Sequence, residues 1–318
     1  MHIRQAHPIR DRIKLILILI LLLVALLNLA KLVEKDNIPN DVTQNDQTQS
    51  DEMQSDQSQN DEMQSDQSQN DQIQNDESQT TTILMETLLK KALEPIGSTM
   101  YIWGGGWNEE DTGAGPSATQ LGISPQWKAF ADLQDETYDY KLHRFELENG
   151  LDCSGFVGWA VYNTFETENG QPGYVTKSTE MAKSLADRGW GMLLVNPKEF
   201  LPGDIVSMKG HVWICLGTCE DGSVLLVHSS PPGVSVCGTA LQQTNVENAQ
   251  ESQAVKLATQ YMSKYHPDWQ SKYPKREVKT SFLEQVSVFR WSDSVMFDAK
   301  EIQNKSAEEI MRILSPDM

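Results

Sequence analysis

The chain has 318 residues, with 45 acidic and 26 basic side chains and a net charge of −19 at pH 7. That balance excludes a phosphate-tracking groove, so nucleic acid is not an expected partner. Four cysteines, Cys153, Cys215, Cys219 and Cys237, are too few for a disulfide scaffold.

Residues 1–14 carry Arg4, Arg10, Arg12 and Lys14 against Asp11, and an uncharged apolar run follows from Leu15 to Ala30. A helix of that run spans about 24 Å at 1.5 Å per residue. Extending it from Ile13 to Val33, with Lys14 and Lys31 snorkelling, matches a hydrocarbon core of roughly 30 Å. Residues 1–35 are therefore expected to be a cytoplasmic basic end and a transmembrane signal anchor. The basic flank places everything after it outside the cell membrane, in the cell-wall space. A cleaved signal peptide is the alternative, with only Asn28-Leu29-Ala30 as a small-x-small site.

Residues 36–80 read as a disordered spacer. DEMQSDQSQN occurs at 51–60 and again at 61–70, between degenerate copies DVTQNDQTQS and DQIQNDESQT. Residues 41–80 hold eleven acids, no base and no aromatic residue, too little apolar surface to fold.

Residues 81–318 form the working domain, with 20 basic and 31 acidic residues. Helical spacing runs over 81–94 and stops at Pro95, and a glycine-rich loop, GSTMYIWGGGWN, follows. Residues 107–150 are polar and weakly patterned. From Cys153 to about Phe165 the apolar positions Phe156, Val157, Ala160 and Val161 mark one face of a helix. A second helix is expected over 178–188, capped by Ser178 or Thr179. LPGDIV (201–206), HVWICLG (211–217), SVLLVHS (223–229) and VSVFRW (286–291) read as strands. A helix is expected near 248–265, and another from Ser306, whose pairing with Glu309 makes a capping box. The order suggests α+β, a nucleophile helix packed on an antiparallel sheet.

Cys153 is the candidate nucleophile. A thiol in the first turn of a helix faces the positive end of the dipole, which lowers its pKa toward ~4–7. Gly155 and Gly158 weaken that helix, as expected if a neighbour must approach closely. A base must come from elsewhere. If 211–217 and 223–229 form a hairpin with a four-residue loop, Thr218–Asp221, paired residues sum to 439. His211 then faces His228 directly, Trp213 faces Leu226 and Cys215 faces Val224. His211 is the expected base and His228 the residue that orients it.

DCSGFV, the later GDIV followed by HVWICLG, and the run ending in HSS resemble the NlpC-type papain-like cell-wall cysteine peptidases. YIWGGG is similar to that family's upstream Y-x-W-G-G motif. The resemblance covers about 101–106 and 151–236. It implies a papain-like fold and a Cys-His-His triad of Cys153, His211 and His228. It further implies that Tyr101, Asp152 and Ser154 line the pocket for the acyl-side end of a peptidoglycan stem peptide. The reaction it implies is hydrolysis of the γ-D-Glu to diamino-acid bond through an acyl-enzyme, without a cofactor.

The chain departs from the family pattern in an insertion at about 107–150, in a C-terminal extension from about 239, and in Trp213, which is expected to narrow the site. The alternatives are an amidase or transferase with the same triad, and a catalytically silent wall-binding surface protein. A zinc site of Cys215, Cys219, His228 and Cys237 matches no common ligand spacing. Asp204 is expected to be a turn residue, and His143 and His266 surface or packing residues.

Overall fold

The computed structural model describes residues 82–241 and 251–318. The expected anchor and spacer lie outside the described residues. No helix among the described residues is long and apolar enough to cross a membrane.

Seven strands make one sheet: β1 (Gly191–Val195), β2 (Ile205–Met208), β3 (His211–Thr218), β4 (Val224–Ser230), β5 (Gly233–Thr239), β6 (Glu277–Val278) and β7 (Ser287–Trp291). Their order is β1-β7-β2-β3-β4-β5-β6. The expected antiparallel sheet needs one correction, because β6 runs parallel to β5. Two helices intervene between these strands, and such a crossover returns the chain in the same direction.

Eight helices accompany the sheet among the described residues: α1 (Met85–Leu93), α2 (Pro125–Asp132), α3 (Cys153–Phe165), α4 (Met181–Asp187), α5 (Gln253–Tyr265), α6 (Pro267–Lys272), α7 (Ala299–Gln303) and α8 (Ala307–Leu314). Helix α3 has the expected bounds, but it is not buried on one face only. Every residue from Cys153 to Asn163 is buried. A helix apolar all round belongs inside a core, and α3 packs between α1 and strands β3 and β4. Helix α4 starts later than expected, after Glu180, and neither Ser178 nor Thr179 caps it. A turn closed by the Glu180 amide on the Lys177 carbonyl occupies that stretch instead.

The sheet buries both faces. Val212, Ile214 and Val227 face the main core with α3. Val206, Trp213, Cys215, Leu226 and Val288 form a second core, with Phe200 packed into it and Phe282 against it. Asp204, fully buried, binds Arg290 through Nε at 2.9 Å and Nη2 at 2.7 Å and accepts the Leu201 amide at 2.9 Å. This carboxylate joins the start of β2 to β7, a structural role as expected.

Candidate active site

The first turn of α3 is built by its own N-cap. Asp152 Oδ1 accepts the Gly155 amide at 2.7 Å and the Ser154 hydroxyl at 2.9 Å. Ser154 Oγ in turn accepts from Trp107 Nε1 at 3.0 Å. The triple-glycine loop lies across this turn. Gly105 accepts the Asp152 amide at 2.9 Å, and a Cβ on Gly155 would stand 2.1 Å from the Gly105 oxygen. The helix-weakening Gly155 is thus explained by a backbone that passes too close for any side chain.

The register of β3 and β4 corrects the expected pairing. Ile214 faces Val227 and Cys215 faces Leu226, so pairs sum to 441 rather than 439. The turn is closed by the Cys219 amide on the Ser223 carbonyl, and the register shifts between Cys215 and Gly217. Continued one residue, this register sets His228 opposite Trp213, with His211 as its diagonal neighbour. A two-residue slip keeps both histidines on one face. Their rings meet edge-on with centroids 5.0 Å apart, and His211 Nε2 lies 2.9 Å from His228 Nδ1. That contact engages His211 through Nε2 and His228 through Nδ1. Phe282 packs against both rings, at 5.4 and 6.0 Å.

Beyond Ile214 and Val227, β3 and β4 no longer pair, and the start of α3 docks there. The backbone of Val212, next to His211, favours the Cys153 thiolate. The Ser229 hydroxyl, next to His228, donates to the Leu151 carbonyl at 2.6 Å. The turn that precedes the thiol is thereby tied to the strand neighbour of His228.

Burial decides the charge states. It pushes the Cys153 thiol up to about 12, and the nearby Asp152 carboxylate adds to the rise. This reverses the expected lowering: the amides of Val212, Ser154 and Cys153 do favour the thiolate, but desolvation outweighs them. Burial lowers His211 to about 4. It holds His228 well below the usual imidazole range, with the charges of His211 and Arg276 acting the same way. Asp152 is pushed up to about 6 by burial against its hydrogen bonds. The resting site therefore favours a neutral thiol beside neutral imidazoles.

Tyr101, Asp152 and Ser154 gather around Cys153. Burial raises the Tyr101 phenol well above its ordinary range, and Cys153 and Asp152 reinforce the shift. The 107–150 segment supplies the cover. Tyr140 packs edge-on against Tyr101 at 5.3 Å, and the Tyr138 hydroxyl donates to the Tyr101 carbonyl at 2.7 Å. His143 stacks on Tyr138 at 5.4 Å, a packing role.

Trp213 does not narrow the site. It is fully buried and stacks on Phe200 in the second core. All four cysteines are free thiols. Cys219 lies in the main core and Cys215 and Cys237 in the second, and no metal-type cluster forms among the described residues.

Sequence reading missed Val212, Ser229, Trp107 and Phe282 as parts of the site. The serine after the histidine in HSS and the tryptophan ending GGGW were visible signals for two of them. Compared with family models, curated proteins and solved structures, the chain finds no match.

Proposed function

We propose that the chain is a papain-like thiol hydrolase that cuts peptide bonds in peptidoglycan stem peptides, at the bond between γ-D-Glu and the diamino acid. The reading rests on one observation: a cysteine begins a buried helix whose preceding turn is bonded to the neighbour of His228, and His228 contacts His211 at 2.9 Å. The four motifs shared with NlpC-type peptidases supply the substrate class.

In this mechanism His211 Nδ1 takes the Cys153 proton as the sulfur attacks the carbonyl carbon. His228 holds the other face of the His211 ring and steadies the imidazolium. The free amides of the first turn of α3 face the developing oxyanion. The imidazolium then protonates the leaving amine, and water, activated by His211, hydrolyses the thioester. Asp152 offers a carboxylate to the free amine of the stem peptide. The placement remains that of the sequence reading, a signal anchor in the cell membrane with the catalytic domain in the cell-wall space.

The test is digestion of purified sacculi by the full chain, with mass analysis of the released fragments. Fragments with a new amino terminus at the diamino acid are expected. A Cys153→Ala protein that releases them at the parental rate would overturn the mechanism.

A further inference from the structure

A cavity of about 700 Å³ opens beside the imidazole pair, with His228 on its wall and neither Cys153 nor His211 among its lining residues. It is built largely by the C-terminal extension. Its charged lining is Lys272, Lys275, Arg276 and Lys279 against Glu136 and Glu277, a basic surface on a chain of net charge −19.

Arg276 is the unusual member. Its carbonyl accepts the Gly238 amide at 2.9 Å, which pins it to β5. Its side chain is buried, with 3% of the residue exposed. Nη1 reaches the Val236 carbonyl at 3.5 Å and Nη2 donates to the Tyr273 carbonyl. Nε is buried with no hydrogen-bond partner. The guanidinium joins no salt bridge among the described residues. Buried charges are ordinarily paired, and a guanidinium presents a planar fork suited to a carboxylate.

We propose that this cavity is an anion-binding site, where a carboxylate-bearing ligand pairs with Arg276 and Lys275 and Lys279 attract it at the mouth. Neutralising Arg276 would relieve its repulsion of a protonated imidazole pair and so favour His211 as a base. The carboxylate belongs either to the peptide substrate or to a free small anion.

Glutarate and the uncharged glutaramide, titrated calorimetrically into the full chain, separate charge from shape. Glutarate should bind at least ~10-fold tighter than glutaramide. Arg276→Gln should abolish the difference. Because that variant touches buried structure, a Lys275→Gln, Lys279→Gln double variant serves as a second arm. Both lysines are exposed, and the double variant should weaken glutarate roughly fivefold. Equal affinity for the two probes, or an unchanged affinity in the double variant, overturns the site. Competition of glutarate with peptide turnover would identify a substrate carboxylate as occupant. Binding without competition would identify a free anion, and either result sustains the site. Binding in a protein with no turnover would sink the hydrolase reading and leave this one standing.

Discussion

The Ser229 hydroxyl donates to the Leu151 carbonyl over 2.6 Å, and so joins the residue after one histidine to the turn that presents the thiol. In Ser229→Ala the carbonyl keeps only the longer bond from the Ile102 amide, at 3.4 Å. Loss of a buried hydrogen bond costs about 1 kcal/mol, measurable by urea unfolding. Turnover should fall roughly tenfold with little change in KM, since misplacement acts on the reacting geometry. An unaltered kcat would mean that this bond does not position the sulfur.

The charge states predict how the thiol reacts. With Cys153 raised to about 12 and His211 lowered to about 4, a resting thiolate–imidazolium pair is disfavoured. Alkylation of Cys153 by iodoacetamide should climb about tenfold per pH unit from pH ~6 to ~10. A plateau across pH ~5–8, the mark of a preformed ion pair, would contradict this.

Asp152 carries a stability cost. Its folded pKa is raised from 3.8 to about 6, so the folded state holds a proton that the unfolded state releases between those values. Stability therefore falls as pH rises through that window, by on the order of 3 kcal/mol in all. Asp152→Asn keeps an oxygen for the cap and should melt higher than the parent at pH ~7 but not at pH ~4. It should also lose turnover on peptides with a free amino terminus. Equal melting shifts at both pH values would refute the electrostatic account.

The Asp204–Arg290 pair predicts a structural phenotype. Asp204→Ala leaves the Arg290 guanidinium beside an emptied, buried site, and breaking such a pair costs about 3–5 kcal/mol. Denaturant midpoints should move accordingly, and catalytic constants of the folded fraction should not. A loss of kcat in fully folded protein would point instead to a role in the chemistry.

Much of this site was legible in the sequence because its parts lie on strongly patterned segments. Helix α3 ran from Cys153 to Phe165 as read, and β3 and β4 began within a residue of expectation. Strand β1 was missed because its side chains are not alternately buried: Met192, Leu193 and Val195 are exposed. Strand β5 was missed because GVSVCGT carries glycines that read as turns. Helix α2 had a legible start, with Ser124 as N-cap and Pro125 in the first turn. The polar composition of 107–150 hid it. Its buried anchors are Trp127, Phe130 and Ala131, and Trp127 packs edge-on against Trp159 of α3 at 6.0 Å. The histidine register was misread because the turn lies later than assumed, with Thr218 facing Val224, and because the ladder shifts by one between Cys215 and Gly217.

The irregularity in that ladder decides more than register. Near the turn, Thr218 faces Val224 and Gly217 faces Leu225. Carried on unbroken, that numbering would set His228 opposite Ile214, on the sheet face that His211 does not share. The single extra residue, Leu216, changes even to odd and turns the second imidazole round to meet the first. Gly217 permits it, with a φ of +135° and a missing Cβ that would stand 2.8 Å from the Ala307 Cα. Deleting one residue here should therefore leave a foldable hairpin whose two histidines can no longer see each other. The contact between the two imidazoles depends on a parity set five residues from the nearer one.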